Sequence, residues 1–348
     1  MKGLMSYSGI VTKLRAMQAK LLTEDDYAAI AGLGSVRDAI EYLKEKPAYA
    51  EYMNQIDVSL YHRGNIEKIL YQSLYNDYTK IFRFASQEQK KFLSMYWKRY
   101  EVDVINYCLR IVFNHYDIPF DLNYKKMFFD KYSQLSIERL VTSKNIDELV
   151  DNLAGTEYYE PLHRIRESQE ATLFDYHLAL DLYYFSTLWK KEKKLLKGKE
   201  LEIFTRDCGI KIDLMNLQWI YRAKKYYRML PPDIYSMLIP IHYKLNVEMI
   251  RKLVEAPTVE EYLKQVEETS YAKHYQFKEV KTLEQLYKDT LMHLYLTDRR
   301  KHPYSVASIN TYLFLKEEEI YKITTALECI RYGLSKAETL RYLGGVIS

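Results

Sequence analysis

Glycine and proline are scarce in this chain, with 11 Gly and 8 Pro in 348 residues. That is about 3% and 2%, against the usual roughly 7% and 5%. So few turn-formers leave little room for short strands joined by tight hairpins, which disfavours all-β folds. Cysteine is scarcer still. Cys108, Cys208 and Cys329 are odd in number and lack C-x-x-C spacing, which argues against a disulfide framework or a cysteine zinc site and fits a reducing compartment. Neither sign of charge prevails: 51 basic and 47 acidic residues leave a net +4. A dedicated nucleic-acid binder would normally carry a strong basic excess. Long apolar runs are also missing. Ala171 to Trp189 comes nearest, but Asp175, His177 and Asp181 interrupt it and would be costly in a bilayer. Met1 to Gly9 lacks the apolar centre of a secretory signal. The expectation is a soluble chain, free to sit against a membrane protein.

What is present is ordinary globular composition, 48% hydrophobic and 28% charged, with 35 tyrosines. The length suits two or three domains. Three segments share one form, an N-cap, an acidic first turn and apolar positions at helical spacing. They are Ser35 to Leu43, Asn145 to Leu153 and Thr258 to Val266, and aromatic residues follow them at Tyr49, at Tyr158-Tyr159 and at Tyr271. Further landmarks keep the same order. Caps at Thr23, Ser136 and Asn246 precede the segments, and apolar-acidic pairs follow at Ile66-Glu67, Phe174-Asp175 and Leu283-Glu284. Acid-aliphatic pairs at Asp103-Val104, Asp213-Leu214 and Glu319-Ile320 are expected to open the last helix of each unit, with Asn106, Asn216 and Lys322 three residues past each acid. Pro119 and Pro231-Pro232 mark the seams. One module copied twice is the reading, with units 1–118, 119–230 and 231–348.

Within a unit the period is helical. Ile66, Ile69, Leu70, Leu74, Tyr78, Ile81, Phe82 and Ala85 form one stripe, and Ile10, Leu14, Met17 and Leu21 another. Leu173, Tyr176, Leu180, Tyr183, Tyr184 and Leu188 form a broader one, as on a helix buried on two sides, and Leu283, Leu286, Tyr287, Thr290, Leu291 and Leu294 form its counterpart in the third unit. The expectation is an all-α protein with five or six helices per unit. A period near 110 residues exceeds the roughly 20–50 of solenoids, so each unit can hold its own core. That favours three packed domains about a pseudo-threefold axis.

No catalytic, cofactor-binding or metal-binding residues are expected. Gly32-Leu33-Gly34 follows a helix rather than a strand, with Arg37 where a dinucleotide loop needs its third glycine. Gly198-Lys199 is followed by Glu200 rather than Ser or Thr. His293 and His302 have no acid placed to complete a metal set, and His177 and His242 read as satisfied, partly buried histidines. Asp103, Asp213 and Glu319 read as first-turn acids favoured by the helix dipole, with Arg99, Arg206 and Arg222 as nearby partners. Lys190 to Glu200 reads as a solvated helix end and loop, and Arg299-Arg300-Lys301-His302 as a smaller basic cluster at the matching stage of the third unit. Electrostatic contact of these clusters with a partner is a minor alternative.

The stretch Tyr7 to Ala50 carries a resemblance. It has a small-residue and arginine helix at Ile10 to Lys20 with Arg15, a Leu21-Leu22-Thr23 cap, and a Pro-Tyr-like element at Pro47-Ala48-Tyr49. With the acid-aliphatic-x-Asn elements at Asp103 to Asn106 and Asp213 to Asn216, it resembles the central-stalk component of vacuolar-type and archaeal-type rotary ATPases, the C subunit of prokaryotes and the d subunit of eukaryotes. Lys322 departs from the pattern in the third unit. The resemblance implies a funnel of three helical domains, itself non-catalytic and without a nucleotide site. It implies a socket on the cytoplasmic face of a membrane rotor ring, present in one copy. Its partners would be shaft subunits of the D and F type and the ring subunits. The alternative is an α-helical repeat adaptor for a protein partner. A nucleic-acid binder using Lys190 to Glu200 is a third reading.

Overall fold

A computed structural model describes residues 2–55, 63–116, 120–168, 170–274 and 282–344. Pro119, with the first of the two proline seams, lies outside the described residues. Among the described residues the regular structure is helical throughout, as the composition predicts. The helices are α1 (Lys2–Gln18), α2 (Glu24–Ile30), α3 (Val36–Lys44), α4 (Ala50–Met53), α5 (Arg63–Phe84), α6 (Gln87–Tyr96) and α7 (Lys98–Phe113). Next come α8 (Asn123–Tyr132), α9 (Ile137–Leu140), α10 (Ile146–Asn152), α11 (Tyr159–Arg166), α12 (Leu173–Leu195) and α13 (Gly198–Arg222). Last are α14 (Pro231–Met237), α15 (Val247–Glu255), α16 (Val259–Glu268), α17 (Ser270–His274), α18 (Leu283–Lys301), α19 (Val306–Arg331) and α20 (Lys336–Tyr342). Single turns such as α4 and α9 stand as separate helices; among the described residues the first and last thirds hold seven α-helices each, one more than expected, and the middle third holds six.

The short helices start where the sequence places them. Thr23, Ser35, Ser136, Asn145, Asn246 and Thr258 each accept a hydrogen bond from the backbone N–H three residues on. Each satisfies a donor that the first turn would leave bare, a contribution of about 1 kcal/mol. Thr23 closes a capping box with Asp26, and Thr172 closes one with Asp175 at the head of α12.

The chain divides into two compact units. One comprises Met1–Gln87, Asn123–Phe128 and Arg299–Ser348. In it α5 packs on α1 and α19, burying Ile66, Leu70, Leu74, Tyr78 and Ile81 with Ile10, Leu14 and Met17 of α1. Each such aliphatic side chain contributes roughly 1.5–3 kcal/mol when withdrawn from water. Helix α19 also packs on α2, α3 and α20, and its first two turns, Val306 to Leu313, are buried on every side. The other unit comprises Glu88–Leu122 and Phe129–Asp298. There α12 is flanked by α7, α11 and α13, which explains its broad apolar face. Helix α7 packs on α10, and α13 packs on α16. A π-helical turn, Ala223–Tyr227, closes α13, and Arg228 follows in the left-handed region at φ 50°. From this turn the Lys224 ammonium donates to the carbonyls of Val254 and Ala256 at 2.6 and 2.7 Å, satisfying acceptors at the end of α15.

Candidate functional site

Three buried carboxylates, each held by a buried tyrosine, recur along the chain. Tyr158 donates to Glu101 Oε2 at 2.5 Å, Tyr271 to Asp213 Oδ2 at 2.7 Å, and Tyr49 to Glu319 Oε1 at 2.5 Å. The tyrosines are the aromatic residues that follow the three repeated segments, and all are 2% exposed or less. Each acid lies on a long helix late in one third of the sequence and takes its tyrosine from another third. The first third's acid meets the second's tyrosine, the second's meets the third's, and the third's meets the first's.

Each acid also fastens the chain just ahead of a short capped helix. Glu319 accepts from the Leu22 N–H at 2.6 Å, next to the Thr23 cap. Asp213 accepts from the N–H groups of Tyr243, Lys244 and Leu245 at 3.2, 2.7 and 3.1 Å, next to the Asn246 cap. Glu101 accepts from the Ser133 hydroxyl, which lies shortly before the Ser136 cap. The three carboxylates are 1–3% exposed. Buried donors and acceptors carry a large penalty if left unpaired, so these bonds fix the geometry strongly.

Counter-charge differs among the three. Lys316, one turn before Glu319, donates to it at 3.1 Å and to the Tyr49 hydroxyl at 2.8 Å, with its ammonium 4.2 Å from the centre of the tyrosine ring. Lys98, one turn before Glu101, stands 3.8 Å from it and also pairs with Glu157. Ile210 occupies the matching place before Asp213. Burial is the largest influence on Asp213; its hydrogen bonds act the other way and are outweighed, so its pKa lies above the usual aspartate value. Burial, then the nearby carboxylate and the bond to it, pushes the Tyr49 and Tyr158 hydroxyls far above the ordinary phenol value, so both stay donors.

The sequence points to part of this set. Asp213 and Glu319 are members, but they lie in mid-helix rather than in a first turn. Hydrogen bonds from distant segments hold them there, not the helix dipole. In the first third the member is Glu101 rather than Asp103, which is half-buried and 3.5 Å from Arg99. The shared pattern Lys98-x-x-Glu101 and Lys316-x-x-Glu319 is the signal that could have found it. Arg206 turns to Asp298 at 2.5 Å and Arg222 to Glu284 at 3.3 Å, so neither is the partner expected of it. Asn216 is buried and exchanges both bonds with the Ile239 backbone at 3.0 Å, whereas Lys322 pairs with Glu24.

The remaining motifs take structural places. Gly32 to Gly34 lies in the turn between α2 and α3, and Gly198, at φ 55°, opens α13. His177 is half-buried, and burial, then Arg110, lowers its pKa. His242 is exposed, contrary to the partly buried place expected of it. The six lysines of Lys190 to Glu200 are solvated, but Glu192 in their midst is fully buried, which the charge run hides. The three cysteines are buried, and none forms a disulfide among the described residues. Among the described residues no group of three or more His, Cys, Asp or Glu could hold a metal ion, and no helix is long and apolar enough to cross a membrane.

The sequence matches the ATP synthase (C/AC39) subunit family over residues 10–342. It is 26% identical to the C subunit of the A-type ATP synthase of Methanosarcina mazei, over 78% of this chain and 72% of that one. Against the C subunit of the A-type ATP synthase of Thermococcus kodakarensis it is 25% identical, over 98% and 91% of the two chains. Against that of Archaeoglobus fulgidus the figures are 24%, 97% and 96%.

Proposed function

This chain belongs to the ATP synthase (C/AC39) subunit family of rotary ATPases, and from that premise we propose that it is a socket that passes torque between a rotating shaft and a membrane rotor ring. A member of this family is a structural stalk component, and catalysis belongs elsewhere in the complex. In this reading the thirds 1–118, 119–230 and 231–348 are copies of one helical module. They form a funnel about a pseudo-threefold axis, one per complex, on the cytoplasmic face of the membrane. The shaft subunits of D and F type enter it, and the ring subunits lie beneath it.

The observation that carries the reading is the order of the tyrosine–carboxylate bonds. Three modules in an open row would leave the last acid without a following tyrosine. Here Glu319 of the last third is bonded to Tyr49 of the first, as a closed set requires. The open superhelix of an adaptor has no need of that bond. A socket under torque must not shear, and buried hydrogen bonds within close-packed helices resist shear.

The test is deletion of the chain from its cell. Membranes should then lose ATP-driven ion movement, while the detached catalytic sector keeps hydrolysing ATP, and re-adding the purified chain should restore coupling. Unchanged ion pumping in the deletion strain would sink the reading.

A further inference from the structure

A cavity of about 630 Å³ lies among α1, the last turn of α18 and the start of α19. Such a volume falls within the roughly 300–1,000 Å³ of small-ligand sites. Three guanidinium groups line it: Arg15 from α1, and Arg299 and Arg300 from α18. Val11 and Leu14 add apolar lining. No carboxylate is among the lining residues, and among the described residues none of the three arginines forms an ion pair. The neighbouring acid Asp298 is taken by Arg206. Arg299 donates to the neutral Gln18 Oε1, and Arg15 lies 5.9 Å from the Tyr304 ring centre. Partial burial, then the like charges of Arg15 and Arg300, lower the pKa of Arg299.

Elsewhere this protein pairs its part-buried arginines with acids: Arg99 with Asp181 and Asp103, Arg166 with Asp151, Arg206 with Asp298. Among the described residues Arg299 is the half-buried arginine that has no acid, and Arg15 and Arg300 set two more exposed guanidinium groups beside it. Guanidinium groups match phosphate oxygens bidentately, and a multivalent anion would relieve the repulsion among the three.

We propose that this cavity binds a multivalent phosphate group, carried by a free diphosphate-like anion or by a phospholipid headgroup. The site is independent of the rotor reading and is tested on the isolated full chain. Pyrophosphate is titrated calorimetrically at fixed ionic strength, and flotation is measured with phosphatidylcholine vesicles with and without phosphatidic acid. The variants are the exposed pair Arg15→Gln/Arg300→Gln and, as a control in the lysine run, Lys193→Gln/Lys194→Gln. Saturable pyrophosphate binding is expected in the wild type and the control, weakened at least about tenfold in the arginine pair. Flotation on phosphatidic acid that the arginine pair abolishes and pyrophosphate competes away identifies the headgroup as the source. Pyrophosphate binding without flotation identifies the free anion. Arg300→Gln alone, at an exposed position, keeps the test informative if the pair fails to fold. Absence of saturable binding in the wild type, or equal weakening in control and arginine pair, overturns the proposal.

Discussion

Glu319 and Asp213 are buried to the same degree and bonded to tyrosines in the same way, yet the protein compensates their charges differently. Glu319 has a buried ammonium, Lys316, on its own helix and one backbone N–H from a distant segment. Asp213 has no lysine one turn back and is ringed instead by three backbone N–H groups from residues 243–245. The first is an ion pair, in which removing one partner strands the other in a low dielectric. The second is a loop wrapped around an acid, and it depends on how closely that loop can approach. Both serve one end, fixing a tyrosine and a helix entry to a long helix.

The sharpest way to separate the two is Lys316→Met. It leaves Glu319 buried beside a tyrosine with no counter-charge, and should destabilise the protein by about 3–5 kcal/mol. The same change at Lys98 should lower stability by much less. Lys98 is 20% exposed at its side chain against 1% for Lys316 and stands farther from its acid. Urea unfolding midpoints of the two variants make the comparison, and equal losses would show that the ion pair at Glu319 is not special.

Gly209 separates them from the other side. It lies one turn before Asp213, and a Cβ there would sit 2.5 Å from Tyr243 Cγ and 2.7 Å from its Cβ. Those are near-backbone atoms of the residue whose N–H bonds Asp213, so the loop itself would have to retreat. Glycine to alanine in mid-helix ordinarily stabilises by about 0.5–1 kcal/mol. Here Gly209→Ala should destabilise by about 1–3 kcal/mol. Trp97 and Leu315 hold the matching places before Glu101 and Glu319, so the close approach belongs to Asp213 alone. An alanine variant as stable as the wild type, by thermal or urea unfolding, would mean the loop is not held by that contact.

Much of this frame is legible in the sequence, and the parts that are not share a cause. The caps at Thr23, Ser35, Ser136, Asn145, Asn246 and Thr258 obey hydrogen-bond rules that act within three residues. The stripe from Ile66 to Ile81 follows from helical period alone. Tyr49, Tyr158 and Tyr271 are visible as recurring aromatics, but their partners are not, because Tyr49 and Glu319 are 270 residues apart. Glu101-Val102 is as much an acid-aliphatic pair as Asp103-Val104, but Asn106 three residues on draws the reading to Asp103; the lysine one turn before Glu101 and Glu319 and the tertiary bond to Tyr158 mark Glu101 instead. Asp213 and Glu319 read as helix starts because an acid before an aliphatic residue looks alike in a first turn and in a buried middle turn. Arg206 misleads for the same reason: Asp298 is distant in sequence.

Glu192 offers a third way to bury a carboxyl and the smallest effect at acid pH. Among the described residues neither of its side-chain oxygens has a hydrogen-bond partner, and burial raises its pKa from 4.5 to about 8. It has neither the lysine of Glu319 nor the N–H ring of Asp213, so at neutral pH it stays protonated. Because the folded pKa lies above the unfolded one, the unfolded chain releases this proton first. Its contribution to stability is therefore complete below about pH 4.5 and is lost as the pH rises towards 8, by up to about 1.4 kcal/mol per pH unit. Glu192→Gln keeps the shape and removes the titration. Its stability should match the wild type near pH 4 and exceed it increasingly up to about pH 8, read from urea midpoints across that range. Parallel pH profiles for the two proteins would show that Glu192 ionises as freely in the fold as in water, and that a carboxyl here needs neither counter-charge nor donors.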